Sequence, residues 1–452
     1  MTTLTIVIVT VFCIGYLCIA VEALTKINKA AIALLMFVFC WTLFMIDPGS
    51  YLSIGPGDKV SLVVSEVIEK HLGTTSTTLF FLMGAMTIVE VVDQNGGFNF
   101  VRDALSSKSK RALLWKMAFL TFILSAILDN LTTSIVMVMI LRKLVSDHKD
   151  RLIYAALIVI AANSGGAFSP IGDVTTIMLW NRGFVTALGV ISEIFLPSVL
   201  SMVIPAYILS RHLHGSVAVA KMEGGNAGSE DFTATQRKAV FFLGVGGLIF
   251  VPIFKSITHL PPFVGILLIL GILWAVTELF YSHLKAPEKG GMQKRVTNML
   301  TRIDMGTILF FLGILMAVAC LETIGVLTML GEGLDVVFEG NHYAVTGIIG
   351  VLSSIVDNVP LVAGCMGMYP MAEVGDMACD GLFWQLLAYC AGVGGSMLII
   401  GSAAGVVVMG LEKITFGWYM KNITWIAFVG YIIGMIVYWA ERTYIIEPLF
   451  HQ

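Results

Sequence analysis

Ten apolar runs divide the chain, at 4–21, 30–46, 75–92, 152–180, 187–209, 239–253, 263–281, 306–327, 384–411 and 423–440. A helix needs ~20 mostly apolar residues to cross a bilayer, and most of these runs are close to or beyond that length. With no water in the hydrocarbon core, every backbone amide must find its partner inside the chain, so a spanning segment must be a helix or part of a closed barrel. Continuous apolar runs, without the alternation of a barrel strand, select helices. Composition agrees. The 452 residues are 57% hydrophobic and 13% charged, with a mean hydropathy of +0.90, where soluble domains carry about 25% charged residues. The chain is expected to be an all-α polytopic membrane protein. The run at 4–21 has no basic flank before it and no small-residue cleavage site, and is expected to be retained as the first span.

Two further apolar segments do not fit simple crossings. Residues 113–128 and 134–141 flank Ser125-Ala-Ile-Leu-Asp129-Asn130-Leu-Thr132-Thr133, so a carboxylate, an amide and two hydroxyls sit between two short runs. The pattern returns as Ser353-Ser354-Ile-Val-Asp357-Asn358-Val-Pro360. Each is expected to form a re-entrant hairpin, at about 113–145 and 343–370, with its acid at the tip. An ionisable group within the membrane is costly and is a functional-site candidate by default.

Charge fixes the orientation of these hairpins. Lys and Arg collect at 26–29, 102–116, 142–151, 211–221, 237–238, 285–302 and 413–421, whereas the loops at 327–342 and 371–380 are acidic. Basic loops remain in the cytoplasm. Both flanks of the Asp129 hairpin are therefore cytoplasmic, and both flanks of the Asp357 hairpin lie outside. Both termini are expected outside. The polar segment Val60–His71, with Glu66, Glu69 and Lys70, is expected to be a short interfacial helix, and His214–Arg237 a glycine-containing linker.

Three anchors show that the chain is duplicated. Leu79-Phe-Phe-Leu-Met-Gly-Ala-Met86 matches Leu309-Phe-Phe-Leu-Gly-Ile-Leu-Met316; the two hairpin tips match; and Gly165, Gly166 and Gly172 match Gly394, Gly395 and Gly401. All three share nearly one offset. Five crossings per copy invert the second copy relative to the first. The expected plan is two inverted repeats, 1–213 and 238–452, joined by a cytoplasmic linker at 214–237. Each repeat has a hairpin and a broken helix, at 152–180 and 384–411. Inverted repeats whose broken helices meet near the midplane are a plan of secondary transporters.

The first broken helix reads Asn163-Ser164-Gly-Gly-Ala-Phe-Ser169-Pro170-Ile-Gly172-Asp173-Val-Thr175-Thr176. Glycine and proline interrupt the helical hydrogen bonds, and carbonyls left there can ligate a hard cation in a wet cavity. A kink packed against a neighbour would need no carboxylate at the break. The second broken helix is poorer in oxygen donors. Asp173 corresponds to Ser402, Thr175 to Ala404 and Asn163 to Gly392, while Ser396 remains as a donor. The principal cation site is therefore placed on Asp129, Asn130, Thr132, Asp173 and Thr175. Thr133, Asn163, Ser164, Asp357 and Asn358 complete the cation- and proton-binding set, and Ser125, Ser169, Ser354, Ser396 and Ser402 support it. Residues 117–141, 152–181 and 343–411 contain no Lys or Arg, which favours a cation over an anion as cargo. Glu90, Asp93, Glu193, Glu278 and Glu322 read as interfacial or helix-pairing acids. The seven cysteines have no ligand spacing, and no phosphate loop, zinc-protease motif or cofactor fingerprint is present. No enzymatic activity, cofactor or nucleic-acid partner is expected.

These motifs together resemble the NhaD-type sodium/proton antiporters of the ion-transporter superfamily, over nearly the whole chain. That superfamily also includes arsenite permeases and sodium-coupled dicarboxylate carriers. In the latter the hairpin tips carry Ser-Asn-Thr, and Asp129 and Asp357 stand here where that Ser would be. The resemblance implies a scaffold and a moving transport domain, an elevator-like mechanism and a homodimer. It also implies exchange of Na⁺, and of Li⁺ too, for H⁺ across a bacterial inner membrane, with Na⁺ or Li⁺ held at Asp129, Asn130, Asp173 and Thr175. The alternatives are an arsenite or organic-anion carrier, and a membrane scaffold that transports nothing.

Overall fold

The computed structural model describes residues 2–20, 27–52, 59–97, 105, 107, 109–217, 232–282, 296–355 and 357–446. Residues 218–231, most of the expected linker, and much of the 285–302 basic cluster lie outside the described residues, as do the chain ends. Among the described residues the elements are helical. They are α1 (Thr3–Ala20), α2 (Lys29–Phe44), α3 (Val60–Gln94), α4 (Lys110–Leu128), α5 (Asn130–Leu144), α6 (His148–Ala167), α7 (Val174–Asn181), α8 (Ala187–Ser210) and α9 (Ala234–Thr258). There follow α10 (Pro262–Ser282), α11 (Met305–Thr323), α12 (Val326–Val337), α13 (His342–Leu352), α14 (Asn358–Met368), α15 (Leu382–Gly394), α16 (Ala403–Glu412), α17 (Phe416–Asn422) and α18 (Thr424–Glu441).

Seven helices are long and apolar enough to cross a membrane: α3, α4, α8, α9, α10, α11 and the helix beginning at Thr424. Of these, α4 is not a crossing. Its 19 residues, ~28 Å at 1.5 Å per residue, exceed the short run expected from sequence, because the helix begins three residues earlier, capped by Ser109. The other six, the shorter α1 and α2, and the two broken helices α6–α7 and α15–α16 account for the ten expected crossings.

Contacts at the helix ends give the topology. Lys110 at the start of α4 pairs with Asp150 at 2.6 Å, and Arg111 donates to the Ser210 carbonyl at 3.1 Å. Arg142 near the end of α5 and Arg151 in α6 both pair with Glu412 at the end of α16, at 2.7 and 3.1 Å. The start of α4 and the end of α5 are thus at one end of the molecule, with Asp129 between them: a hairpin. At the opposite end His342 of α13 meets Asp376 at 2.8 Å, and Asp380 accepts from the Thr186 amide and from Gln385, each at 2.7 Å. The α13–α14 hairpin enters from that end. The two hairpins are inverted relative to one another.

Packing repeats with the topology. Ser125 donates to the Ala162 carbonyl and Ser353 to the Ala391 carbonyl, each fixing a hairpin to its broken helix. A Cβ at Gly165 would collide with the Phe122 carbonyl, and one at Gly394 with the Gly350 carbonyl. Only glycine permits these crossings, which is why the glycines of the broken helices belong to the duplicated pattern. The broken halves also exchange partners: α7 packs on α14 and α15, while α16 packs on α5 and α6. Around this core, α1, α2, α3, α9, α10 and α11 form a second group, joined through α2 on α11, α9 on α10 and α3 on α10 and α11.

Two sequence expectations change. Residues 60–71 are not a separate interfacial helix but the first turns of α3, which runs unbroken for 35 residues. Their polar residues are exposed because this part projects beyond the apolar span. The run 306–327 is two helices. The α11 helix ends at Thr323, Gly325 adopts a left-handed φ of 76°, and α12 starts at Val326, packing Val326, Leu327 and Gly331 inward. Its Glu332 and Asp335 had marked the acidic loop.

Candidate functional site

The tips of both hairpins and the breaks of both broken helices converge on one cavity of about 40 Å³. Its wall includes Asp129, Asn130, Leu131 and Thr132 from the first tip, Asp173 and Val174 from the first break, Asp357, Asn358 and Val359 from the second tip, and Ala403 from the second break. Leu82 and Met86 of α3 and Thr307 and Phe311 of α11 close it. A water needs about 10–15 Å³ of such space, so the cavity has room for a small cation with one or two waters.

Asp173 is its best-held acid. The residue is 1% exposed and caps α7. Its Oδ1 accepts from the Thr175 amide and the Thr175 hydroxyl, both at 2.9 Å, and its Oδ2 accepts from Asn130 at 2.7 Å. Asn358, from the opposite hairpin, donates to both oxygens at 3.3 and 3.2 Å. A buried charge needs this density of donors. Asn130 also donates to Asn163 at 3.1 Å, and Asn163 passes the network on to Ser396 and Ser402, each at 3.0 Å.

The other acids differ from it. Asp129 caps α5, accepting from the Thr132 amide at 2.7 Å and the Thr132 hydroxyl at 2.8 Å. Its backbone is at φ 95°, ψ 158°, a conformation that favours glycine. Asp357 caps α14, accepting from the Val359 amide at 3.3 Å, and also meets Lys29 of α2 at 3.2 Å. Among the described residues no three His, Cys, Asp or Glu side chains lie close enough to hold a metal ion together. The three carboxylates share a wall, and a bound cation would draw its remaining ligands from amide, hydroxyl and carbonyl oxygens.

Several of the expected residues lie off the cavity. Ser164 accepts from Ser201 of α8 at 2.9 Å. Thr133 is fully buried, and its hydroxyl has no hydrogen-bond partner among the described residues. Ser125 and Ser169 bind the Ala162 and Ala126 carbonyls, and Ser354 binds the Val351 carbonyl. These contacts brace the hairpins. Asn163 and Thr175 stand one hydrogen bond behind the wall, and Ser396 and Ser402 stand two behind it, through Asn163.

Two residues escape a reading from sequence. Residues 117–141, 152–181 and 343–411 carry no Lys or Arg, but Lys29 reaches Asp357 from another helix. Glu412 is 2% exposed and bound by two arginines, and His148 contacts its backbone carbonyl at 3.2 Å. Nothing within either hairpin's own stretch signals these partners. Glu193 is a helix-pairing acid, bound to Arg442 at 2.8 Å and Tyr438 at 3.3 Å.

A larger cavity, of about 930 Å³, lies toward the acidic-loop end along α3, α7, α11 and α14, helices that also wall the small one. Lys70, His71, Arg182 and Glu322 contribute to its lining.

Comparison with known proteins adds independent information. The CitMHS family, described as citrate transporters, matches residues 16–386. "Sodium/proton antiporter 2" of Arabidopsis thaliana is 41% identical over 446 residues, covering 96% of this chain and 99% of that protein. "Na(+)/H(+) antiporter NhaD" of Alkalimonas amylolytica is 32% identical over 403 residues, covering 83% and 79%. Among solved structures, the YdaH transporter of Alcanivorax borkumensis, described as having an unusual topology, superposes with a TM-score of 0.60 at 13% identity. It covers 91% of this chain and 98% of that one. This last likeness concerns the fold alone.

Proposed function

We propose that this chain, which belongs to the CitMHS family of the ion-transporter superfamily, exchanges Na⁺ for H⁺ across the membrane it spans. The observation that carries this reading is Asp173, a buried carboxylate held between hairpin-tip amides from both repeats. A carboxylate in such a place can take a proton or a metal cation, and competition between the two is the simplest basis for exchange. Asn130 and Asn358 can present either amide face. With a cation present, turning them would offer carbonyl oxygens where they now offer N–H groups.

The small cavity favours this over the family's citrate description. About 40 Å³ is far below the ~300–1,000 Å³ of organic-ligand pockets, and three carboxylates wall it. Names of sodium/proton antiporters among relatives at 41% and 32% identity support the same choice. Li⁺, of the same charge and smaller, is proposed as a second cargo, and sodium and pH homeostasis as the purpose. The basic end is assigned to the cytoplasm by the positive-inside rule. The membrane is one that carries a proton gradient, a requirement that a bacterial inner membrane meets.

An elevator-like motion is part of the proposal, and the repeat supplies its support. The cavity touches α3 at Leu82 and Met86 but α11 at Thr307 and Phe311. In the repeat, Leu82 and Met86 correspond to Leu312 and Met316, and Thr307 and Phe311 to Thr77 and Phe81. The site is therefore off-centre between the two helices, toward the basic end. Exchanging the roles of the repeats moves it five residues along both helices, ~7–8 Å at 1.5 Å per residue. The shifted position lies at Thr77 on α3, which lines the larger cavity.

Addition of Na⁺ to inside-out vesicles with a preset proton gradient tests the reading. Dissipation by Na⁺ but not by choline is expected. Uptake of arsenite or a dicarboxylate without Na⁺-driven proton movement would overturn it.

A further inference from the structure

Lys29 stands in the first turn of α2, a helix packed along α11 outside the two hairpins. Its ammonium is 3.2 Å from the Asp357 carboxylate and 4.3 Å from the centre of the Phe310 ring of α11. The Lys29 and Asp357 side chains are 25% and 15% exposed. Asp357 lines the proposed cation cavity. The ammonium thus lies against an oxygen that a transported cation would seek, and the ring holds it there by a cation–π contact. Tyr16 of α1 is also within electrostatic reach of Asp357, and its buried hydroxyl has no hydrogen-bond partner among the described residues. The second hairpin tip is therefore tied electrostatically to α1 and α2, and not only to its own repeat.

Resting on the cation-exchange reading, we propose that Lys29 is a built-in competitor. Its ammonium occupies Asp357 when no cargo is bound, and an arriving Na⁺ displaces it. The physical basis is charge balance. Asp129, Asp173 and Asp357 share one wall, and together they would repel one another and attract cations strongly. A tethered cation neutralises one of them. It weakens cation binding enough for release and leaves the neighbouring Asp173, which is held by neutral amides, as the stronger site. The same pair also joins α2 to the second hairpin. Displacing the ammonium then releases that hairpin from the α2–α11 surface at the moment cargo binds. Lys29 is in this sense a positioning residue for the exchange.

The test uses the full-length protein in proteoliposomes, at one alkaline pH where protons compete least. Lys29→Met removes the charge and keeps most of the length; Lys29→Arg keeps the charge. Lys29→Met should lower the Na⁺ concentration for half-maximal exchange by about 3- to 10-fold, the scale of a ~1 kcal/mol ion pair. Lys29→Arg should remain within about 2-fold of wild type. A merely structural role would lower the maximal rate of both variants and leave the half-maximal concentration in place, and that result would overturn the proposal. Wild-type protein gives a second readout that no folding defect can obscure. Amine labelling of Lys29, followed by mass spectrometry, should increase when NaCl replaces choline chloride at equal ionic strength. No change in labelling overturns the inference. Labelling requires binding alone, so it can be read even where wild-type vesicles show no Na⁺-driven proton flux, the outcome that would overturn the exchange reading itself.

Discussion

Asn163 donates its amide to Ser402, the residue that occupies in the second repeat the place Asp173 occupies in the first, at 3.0 Å. The first broken helix is thus joined to the second at Ser402, a residue related by the repeat to Asp173 yet unlike it in chemistry. Asp173 caps α7 with a carboxylate and Ser402 caps α16 with a hydroxyl. Each satisfies the N-terminus of its own half-helix, as an N-cap must. Only one adds a charge. The duplication has kept the backbone role and separated the ionic one.

This asymmetry predicts unequal mutants. Asp173→Ser should fold, because Ser402 shows that serine caps this kind of break. It should lose Na⁺ affinity by about 100-fold or more, equivalent to ~2.7 kcal/mol, in vesicle flux assays. Ser402→Ala should cost less than 10-fold in apparent affinity. A larger defect in Ser402→Ala would move the ion site to the other repeat.

The hairpins, the breaks and their inversion were legible because each is written twice. A motif that recurs at one offset reports topology without any contact being known. Residues 60–71 look interfacial in sequence for a physical reason: Glu66, Glu69 and Lys70 are exposed, as at a membrane surface, while the helix continues through them into the span. The contacts of Lys29 with Asp357 and of Glu412 with Arg142 join residues 328 and 270 positions apart. Local pattern carries no information about such pairs, and the duplication does not help, because neither contact needs a counterpart in the other repeat.

The off-centre cavity predicts a second set of contacts. With cysteines at Val359 and Phe311, which line the cavity together, a short bifunctional reagent should cross-link the α14–α11 interface. A pair at Val359 and Met316 should cross-link only when the site has moved the five residues along α11. Both products are expected in one Cys-depleted protein population, in proportions that change with Na⁺. Failure of the Val359–Met316 pair under every ionic condition would argue against the elevator motion.

Glu412 predicts a stability defect without a site defect. Its side chain is 1% exposed and receives Arg142 and Arg151. Removing one partner of a buried pair costs about 3–5 kcal/mol, because the other charge remains buried and unpaired. Arg142 is 44% exposed and can rehydrate, so ~2 kcal/mol is the expected loss for Glu412→Gln. A lowered melting temperature in detergent should accompany a nearly normal Na⁺ dependence in the protein that remains folded. An unchanged melting temperature would show that the ion pair contributes no net stability.

Asp129 predicts the opposite. Its φ of 95° is a conformation that favours glycine, and holding another residue there costs on the order of 1–3 kcal/mol. Asp129→Gly relieves that strain. It loses the Thr132 cap, but glycine is itself a tolerable N-cap and the loss amounts to a few tenths of a kcal/mol. The balance favours a variant at least as stable as wild type. The carboxylate that lines the cavity is nevertheless gone, so Na⁺-driven proton release should be lost. Asp129→Asn retains the strained backbone and a capping oxygen and removes only the charge. It should lack exchange as well, with stability close to wild type. Thermal melting and vesicle flux, measured on both variants, separate the two effects. If Asp129→Gly melts well below wild type, the backbone is not strained; if either variant exchanges Na⁺ for H⁺ at the wild-type rate, the conformation is held for some purpose other than presenting the carboxylate to a cation.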